Sequence, residues 1–198
     1  MKICLIRHGE TDWNATRRLQ GRSDIPINPN GIRQAQAVAG YLAKNKNDWH
    51  AVVSSPLSRA QDTAKIIAAA LEHDQIHTEP QFIERDYGRA SGLTPDERRL
   101  RYPDGRFDGM ESIEVLRGRI YSALVQTIRK FEGQNIVIVS HGGAINSLLS
   151  SLSNDKIGTG KTRLAPSCMN LLEAEKGKIR VIYHNKMAHE LEAAQDLI

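Results

Sequence analysis

A chain of 198 residues, 40% of them hydrophobic, is long enough for one domain with a substantial core, and its length gives no reason to divide it in two. Its formal charge of +4 and pI near 9.1 suit small anions, but the excess is too slight and too dispersed to indicate nucleic acid. No uninterrupted apolar run is long enough to span a membrane, and the N-terminus enters a strand pattern without a signal-like apolar region, so a cytoplasmic protein is expected.

The elements follow in alternation. A strand over 2–7 leads through a polar loop holding Gln20-Gly21-Arg22 to a helix over 29–45, which Asn28 can cap and Pro29 can open. A strand over 51–55 feeds a helix over 57–72, with Ser55-Pro56 as its start signal, and a shorter strand is expected over 76–82. Residues 84–93 have the look of a functional loop, and Thr94-Pro95 opens a short helix that ends near Tyr102-Pro103. The longest helical pattern runs from Ser112 to Phe131, followed by a strand over 136–140 and a helix over 144–152. Two runs separated by Lys176-Gly177, from Met169 to Glu175 and from Lys178 to His184, predict a hairpin and hence an antiparallel edge strand. The fold expected is a single three-layer α/β/α domain over 1–198 with a mostly parallel sheet, residues 84–110 covering the strand tips. Cys4 and Cys168 form no disulfide framework and should pack as small apolar residues in a reducing compartment.

Three strand tips carry the chemistry. Ile3 to Ile6 stops at Arg7-His8-Gly9, Ile136 to Val139 stops at Ser140-His141-Gly142-Gly143, and Ala51 to Ser55 is followed within one helical turn by Arg59. In open α/β sheets the ligand crevice lies beyond the carboxyl ends of the strands, so these tips are expected to converge there. Two permanently charged guanidiniums repel a metal cation and grip phosphate oxygens in pairs, and no metal-ligand spacing is present. A phosphate ester is therefore the expected ligand, with no metal. The basic run Arg98-Arg99-Leu100-Arg101 has helical spacing and is expected to be a solvated face.

These segments resemble the histidine phosphatase superfamily, in its phosphoglycerate mutase-like branch. The matching motifs are Leu5-Ile6-Arg7-His8-Gly9-Glu10-Thr11 with Trp13-Asn14, Gln20-Gly21 with Asp24, Ser54-Ser55-Pro56-Leu57-Ser58-Arg59-Ala60, Glu84-Arg85-Asp86-Tyr87-Gly88 and Ser140-His141-Gly142-Gly143, in the family's order. The resemblance implies a metal-independent phosphomonoesterase, without cofactor, acting on a small phosphorylated metabolite. His8 would be the nucleophile, Arg7 and Arg59 the anion clamp, His141 a donor to an equatorial oxygen, and Glu84 the acid/base. Asn14, Gln20, Gly21, Arg85, Tyr87 and the Gly142 amide would touch substrate. By residue type alone Glu10 and Asp86 compete with Glu84. Pro95 stands where the mutases carry a substrate-binding lysine, and their paired-arginine insertion is missing from Tyr102–Glu111. Both departures remove charge from the substrate's second end and favour phosphatase over mutase.

Overall fold

The computed structural model describes residues 1–195 and contains one six-stranded sheet in the order β3-β2-β4-β1-β5-β6. Its strands are β1 (Lys2–Arg7), β2 (Ala51–Ser54), β3 (Ile76–Thr78), β4 (Ile136–Ser140), β5 (Met169–Glu175) and β6 (Lys178–Lys186). The pairs β1–β4, β2–β4 and β2–β3 are parallel, whereas β1–β5 and the hairpin β5–β6 are antiparallel. The expected α/β sheet with an antiparallel edge is therefore present.

Strand residues alternate between two cores because successive side chains leave opposite faces. Ile3, Leu5, Ile136 and Ile138 join the cluster under α5 (Ile113–Lys130) and α6 (Gly142–Leu152). Cys4, Ile6, Val137 and Val139 join the one under α2 (Pro29–Ala43) and α3 (Ser58–Ala70). With both faces covered, the central strands are apolar throughout. Each large side chain buried there contributes about 1.5–3 kcal/mol, so the strands are pinned well before their tips. Cys4 and Cys168 are both buried free thiols.

Helix starts follow the local signals. Asn28 caps α2 by accepting from Gly31 N at 2.8 Å, with Pro29 at the first helical position. Thr94 and Glu97 form a capping box at α4 (Pro95–Arg101). Three expectations need correction. The third strand stops at Thr78 and a turn of 3₁₀ helix takes Pro80–Phe82, because Pro80 lacks the N–H that a continued ladder requires. The helix expected from 144 starts at Gly142. The short α1 (Asp12–Ala15) and the terminal α7 (Ala188–Gln195) had no anticipated counterpart. Among the described residues no helix is long and apolar enough to cross a membrane.

Strand order decides where the site can be. The chain leaves β1 toward β2 on one side of the sheet and leaves β4 toward β5 on the other, so the crossovers diverge at the adjacent pair β1–β4. Such a divergence opens a crevice at the carboxyl ends. The register sets Arg7 beside Ser140 and Ser54 beside Val139, which brings the His8, His141 and Ser55 tips together.

Candidate active site

His8 follows the last residue of β1, and its ring geometry is set by the backbone. Its Nδ1 lies 2.7 Å from the carbonyl oxygen of Gly9. A carbonyl only accepts, so Nδ1 carries the proton and Nε2 keeps its lone pair. Burial, reinforced by the charges of Arg59 and Arg7, holds the His8 pKa well below the ordinary imidazole value. Gly9 cannot carry a side chain: a Cβ there would lie 2.5 Å from the carbonyl oxygen of Gly31, where α2 packs against the loop. The Gly9 amide donates to Thr63 Oγ1 at 3.0 Å, tying the loop to α3.

Arg59, wholly buried on α3, spends its guanidinium on three neighbours. Nε donates to His141 Nδ1 at 3.2 Å, Nη1 to Ser23 O at 2.7 Å and Nη2 to Gly21 O at 2.7 Å. Burial pushes its pKa down to about 10, which still leaves it charged near neutrality. Since arginine can only donate, His141 Nδ1 accepts, and the proton sits on Nε2, 2.6 Å from Ser55 Oγ. Burial and Arg59 push the His141 pKa well down. The His8 and His141 rings stand 5.2 Å apart between centroids.

Glu84 is buried where α6 begins. Its Oε1 accepts from Arg85 N at 2.8 Å and Ala144 N at 3.0 Å, and Oε2 from Gly143 N at 3.0 Å. The carboxylate thus satisfies two of the orphan amides of the helix terminus. Oε1 is filled by two donors, whereas Oε2 keeps one acceptor position. Gly143 makes this seat available, since a Cβ there would stand 2.5 Å from Glu84 Oε1.

Arg7, His8, Asn14, Gln20, Gly21, Arg59, Glu84, Tyr87 and Gly142 line one cavity of about 480 Å³. Arg7 donates Nη1 to Leu164 O at 2.6 Å and leaves Nε without an acceptor. Asn14 receives the Thr11 amide on Oδ1, which leaves Nδ2 as a donor. Tyr87, its pKa raised by burial and by Glu84, is a neutral hydroxyl. The Arg7 guanidinium, the Asn14 amide, a ring nitrogen with a free pair and a fixed carboxylate line one volume. That arrangement fits a tetrahedral oxyanion with an ester oxygen toward Glu84.

A model of the histidine phosphatase superfamily (branch 1) matches residues 3–187. The chain belongs to that superfamily. It is 39% identical over 187 residues to a protein named uncharacterized phosphatase PhoE from Bacillus subtilis, covering 94% of this chain and 95% of that protein. It is also 39% identical over 163 residues to the probable phosphoglycerate mutase GpmB of Proteus mirabilis, covering 77% and 74% of the two chains. Among solved structures it resembles phosphoserine phosphatase from Entamoeba histolytica in complex with 3-phosphoglyceric acid, with 31% identity, a TM-score of 0.81 and coverage of 95% and 98%.

Two residues that the superfamily resemblance put on the substrate sit elsewhere. His141 lies behind the cavity wall with both ring nitrogens engaged, so its contact is with Arg59 and not with the cavity. Arg85 turns aside, donating Nε to Glu111 O at 2.9 Å and lining a separate small cavity beside Tyr87. The competing carboxylates are separated too. Glu10 accepts from the side chains of Asn28 and Asn30, and Asp86 accepts from Gly88 N, while Glu84 alone faces His8.

Sequence reasoning missed the support behind Glu84. Arg119 on α5 pairs with the buried Glu111 through Nε at 2.6 Å and Nη2 at 2.9 Å, and donates to the carbonyls of Gln81, Ile83 and Glu84. This clamp holds the backbone on which Glu84 rides. Its signal was faint, an arginine within a helix otherwise patterned for packing. Sequence reasoning also expected the outer mouth to be poor in cations. Arg18, Lys161 and Arg163 line it, and Arg98 lies in an adjoining cleft, so charge missing at position 95 is present at other positions.

Proposed function

We propose that the chain is a metal-independent phosphomonoesterase that hydrolyses small phosphorylated metabolites through a phosphohistidine on His8. The observation that carries this reading is the tautomer of His8: Nδ1–H is committed to Gly9 O, and the lone pair of Nε2 is kept free between Arg7 and Arg59. The Nε2 pair attacks phosphorus and a P–N bond forms as the ester P–O bond breaks. Glu84 enters this step protonated on the open side of Oε2, gives that proton to the leaving oxygen and is left as the carboxylate. Water then attacks the phosphohistidine, Glu84 recovers a proton from it, and neutral His8 returns as inorganic phosphate leaves. The Arg7 guanidinium, Asn14 Nδ2 and the Gly142 amide stabilise the equatorial oxygens, with His141 acting as a positioning residue that orients Arg59. Near end-to-end similarity to a protein named as a phosphatase supports hydrolysis over mutase transfer.

Phosphoglycerate mutase is the second reading, favoured by the similarity to a probable mutase and by the cationic mouth. Supplying 3-phosphoglycerate with a bisphosphoglycerate primer separates the two. Release of inorganic phosphate faster than formation of 2-phosphoglycerate is expected, and efficient interconversion with negligible release overturns hydrolysis. Burst labelling of an acid-labile phosphoenzyme, unaffected by chelator, tests the chemistry common to both.

A further inference from the structure

Two asparagines meet where the antiparallel edge of the sheet departs from regular pairing. Met169 of β5 pairs with Lys186 of β6 and Leu171 with Tyr183, so His184 and Asn185 together face the single residue Asn170. The extra residue makes a β-bulge, and Asn185 takes it up in the left-handed region at φ 54°, which asparagine tolerates better than most residues with a side chain. Asn170, wholly buried, fixes the bulge from inside. Its Oδ1 accepts from Asn185 N at 2.8 Å, and its Nδ2 donates to Leu5 O at 3.1 Å, in the strand that ends at Arg7.

The side chain aimed by this bulge reaches the loop between α6 and β5. Asn185 Oδ1 accepts from Ala165 N at 2.9 Å and Nδ2 donates to Arg163 O at 3.3 Å, so one amide brackets Leu164 from both sides. Leu164 O in turn accepts Arg7 Nη1 at 2.6 Å, the one hydrogen bond of that guanidinium among the described residues, whose Nε has no partner. Leu164 O and Ala165 N belong to the same peptide plane, and the bond is trans. In a trans peptide C=O and N–H point in opposite directions from a rigid plane, so holding the N–H fixes the direction of the carbonyl.

From this geometry we infer that Asn185, seated by Asn170, is a positioning residue for the Arg7 guanidinium. Both asparagines lie outside the lining of the His8 cavity, so any effect on the reaction passes through Leu164 and Arg7. Closing the bulge needs only the bond between the two asparagines. The bracket around Leu164 is a second task, and at the cavity it sets the direction of one carbonyl. The inference rests on the reading above in which Arg7 holds phosphoryl oxygens, and it adds a residue of the edge strand to the support of that grip.

Asn185→Gly separates the two tasks, because glycine keeps a positive φ without strain but carries no amide. On p-nitrophenyl phosphate kcat should fall about tenfold or more with little change in KM, as expected when a group that acts in the transition state is misplaced. Asn185→Asp retains an acceptor for the Ala165 amide and should keep most of the wild-type kcat. The deciding comparison repeats Asn185→Gly in an Arg7→Met background. If Asn185 acts through Arg7, the glycine should there cost less than about twofold, while denaturant unfolding reports the same change in stability in both backgrounds. Should the glycine variant fold poorly, Asn185→Ser takes its place, since Ser167 already holds φ 56° in this protein and the shorter side chain cannot span both partners. An unchanged kcat, an aspartate variant as slow as the glycine one, or an equal loss in both backgrounds would overturn the inference. Failure of the wild type to release phosphate from any ester would instead refute the phosphomonoesterase reading.

Discussion

The inner and outer parts of the cleft are built on opposite principles. Around His8 nearly every polar group is assigned by backbone: Gly9 O sets the imidazole, Gly21 O and Ser23 O hold Arg59, and the amides of Gly143 and Ala144 hold Glu84. The side chains of Arg98 and Arg163 are half-buried and exposed, and among the described residues no partner fixes them, while Arg18 beside them is held by Gly92 O and Glu97. Rigid strand tips keep donors where charge develops in a transition state, at no cost of reorganisation. Long side chains on loops adapt to differing ligands and give up rotamer freedom on binding. The contrast sets a fixed inner part beside an adaptable outer one.

That division breaks most visibly at His8. His8→Ala should lower phosphate release by about four orders of magnitude or more and abolish the phosphoenzyme, as expected for a nucleophile. Rapid-quench labelling checks this, and normal turnover would remove the inner part from the chemistry altogether. Glu84→Gln comes next. Hydrolysis of alkyl phosphates should fall about a thousandfold, while phosphohistidine formation from p-nitrophenyl phosphate should slow much less because nitrophenolate leaves unprotonated. Equal loss of that first step on both would move the acid to another carboxylate.

Arg59→Lys retains charge but cannot reproduce three directed donors, so turnover should fall about a hundredfold, with sensitivity to vanadate reduced in parallel. Retained activity would reduce Arg59 to a helix residue. Arg119→Met removes the partner of Glu111 in a pair only 12% and 7% exposed at its side chains. A loss of about 2 kcal/mol in denaturant unfolding is expected, because Glu111 keeps only the more distant Arg22 Nη2 at 3.5 Å as a cation, with about a tenfold fall in kcat as Glu84 loosens. If the Glu111→Leu, Arg119→Met double variant regains stability without regaining kcat, the clamp positions Glu84 as well as holding the fold.

The smallest effect is on stability against pH. The pKa values of His8 and His141 are lowered in the folded protein, so below the ordinary imidazole value near 6.5 the unfolded chain binds protons that the folded one refuses. Stability therefore falls as pH drops through that value, and stops falling only below the lowered folded values. Each histidine should add to the loss of stability between roughly pH 7.5 and pH 5.5, the window around its unfolded value. Unfolding of wild type and His8→Ala at both pH values should show the variant losing less stability than wild type, and identical losses would mean the imidazole is not held neutral.

Much of this was legible without coordinates. The apolar runs ending in Arg7-His8 and Ser140-His141, the Asn28 and Thr94 caps and the turn at Lys176-Gly177 are local patterns, and local chemistry decides strands, helix starts and hairpins. Those patterns, with the motif order, were enough to name the superfamily, the parallel sheet with its antiparallel edge, and the residues converging at the tips. Pro80 is the instructive exception, since a strand pattern continued to 82 while the ring had already removed the donor it needed.

What the tertiary structure alone decided was direction and distance between residues far apart in the chain. His141 and Arg85 sit within their motifs as expected, yet one ring is turned onto Arg59 and the other side chain onto Glu111, because partners 82 and 26 positions away hold them. The Glu111–Arg119 clamp and the union of Arg17, Arg98 and Arg163 around one cleft are likewise invisible to periodicity, which reports which face a residue occupies but not what meets it there. Sequence determined which chemistry is present because residue type and strand tips are local. Packing between distant segments determined which of those groups face the cavity.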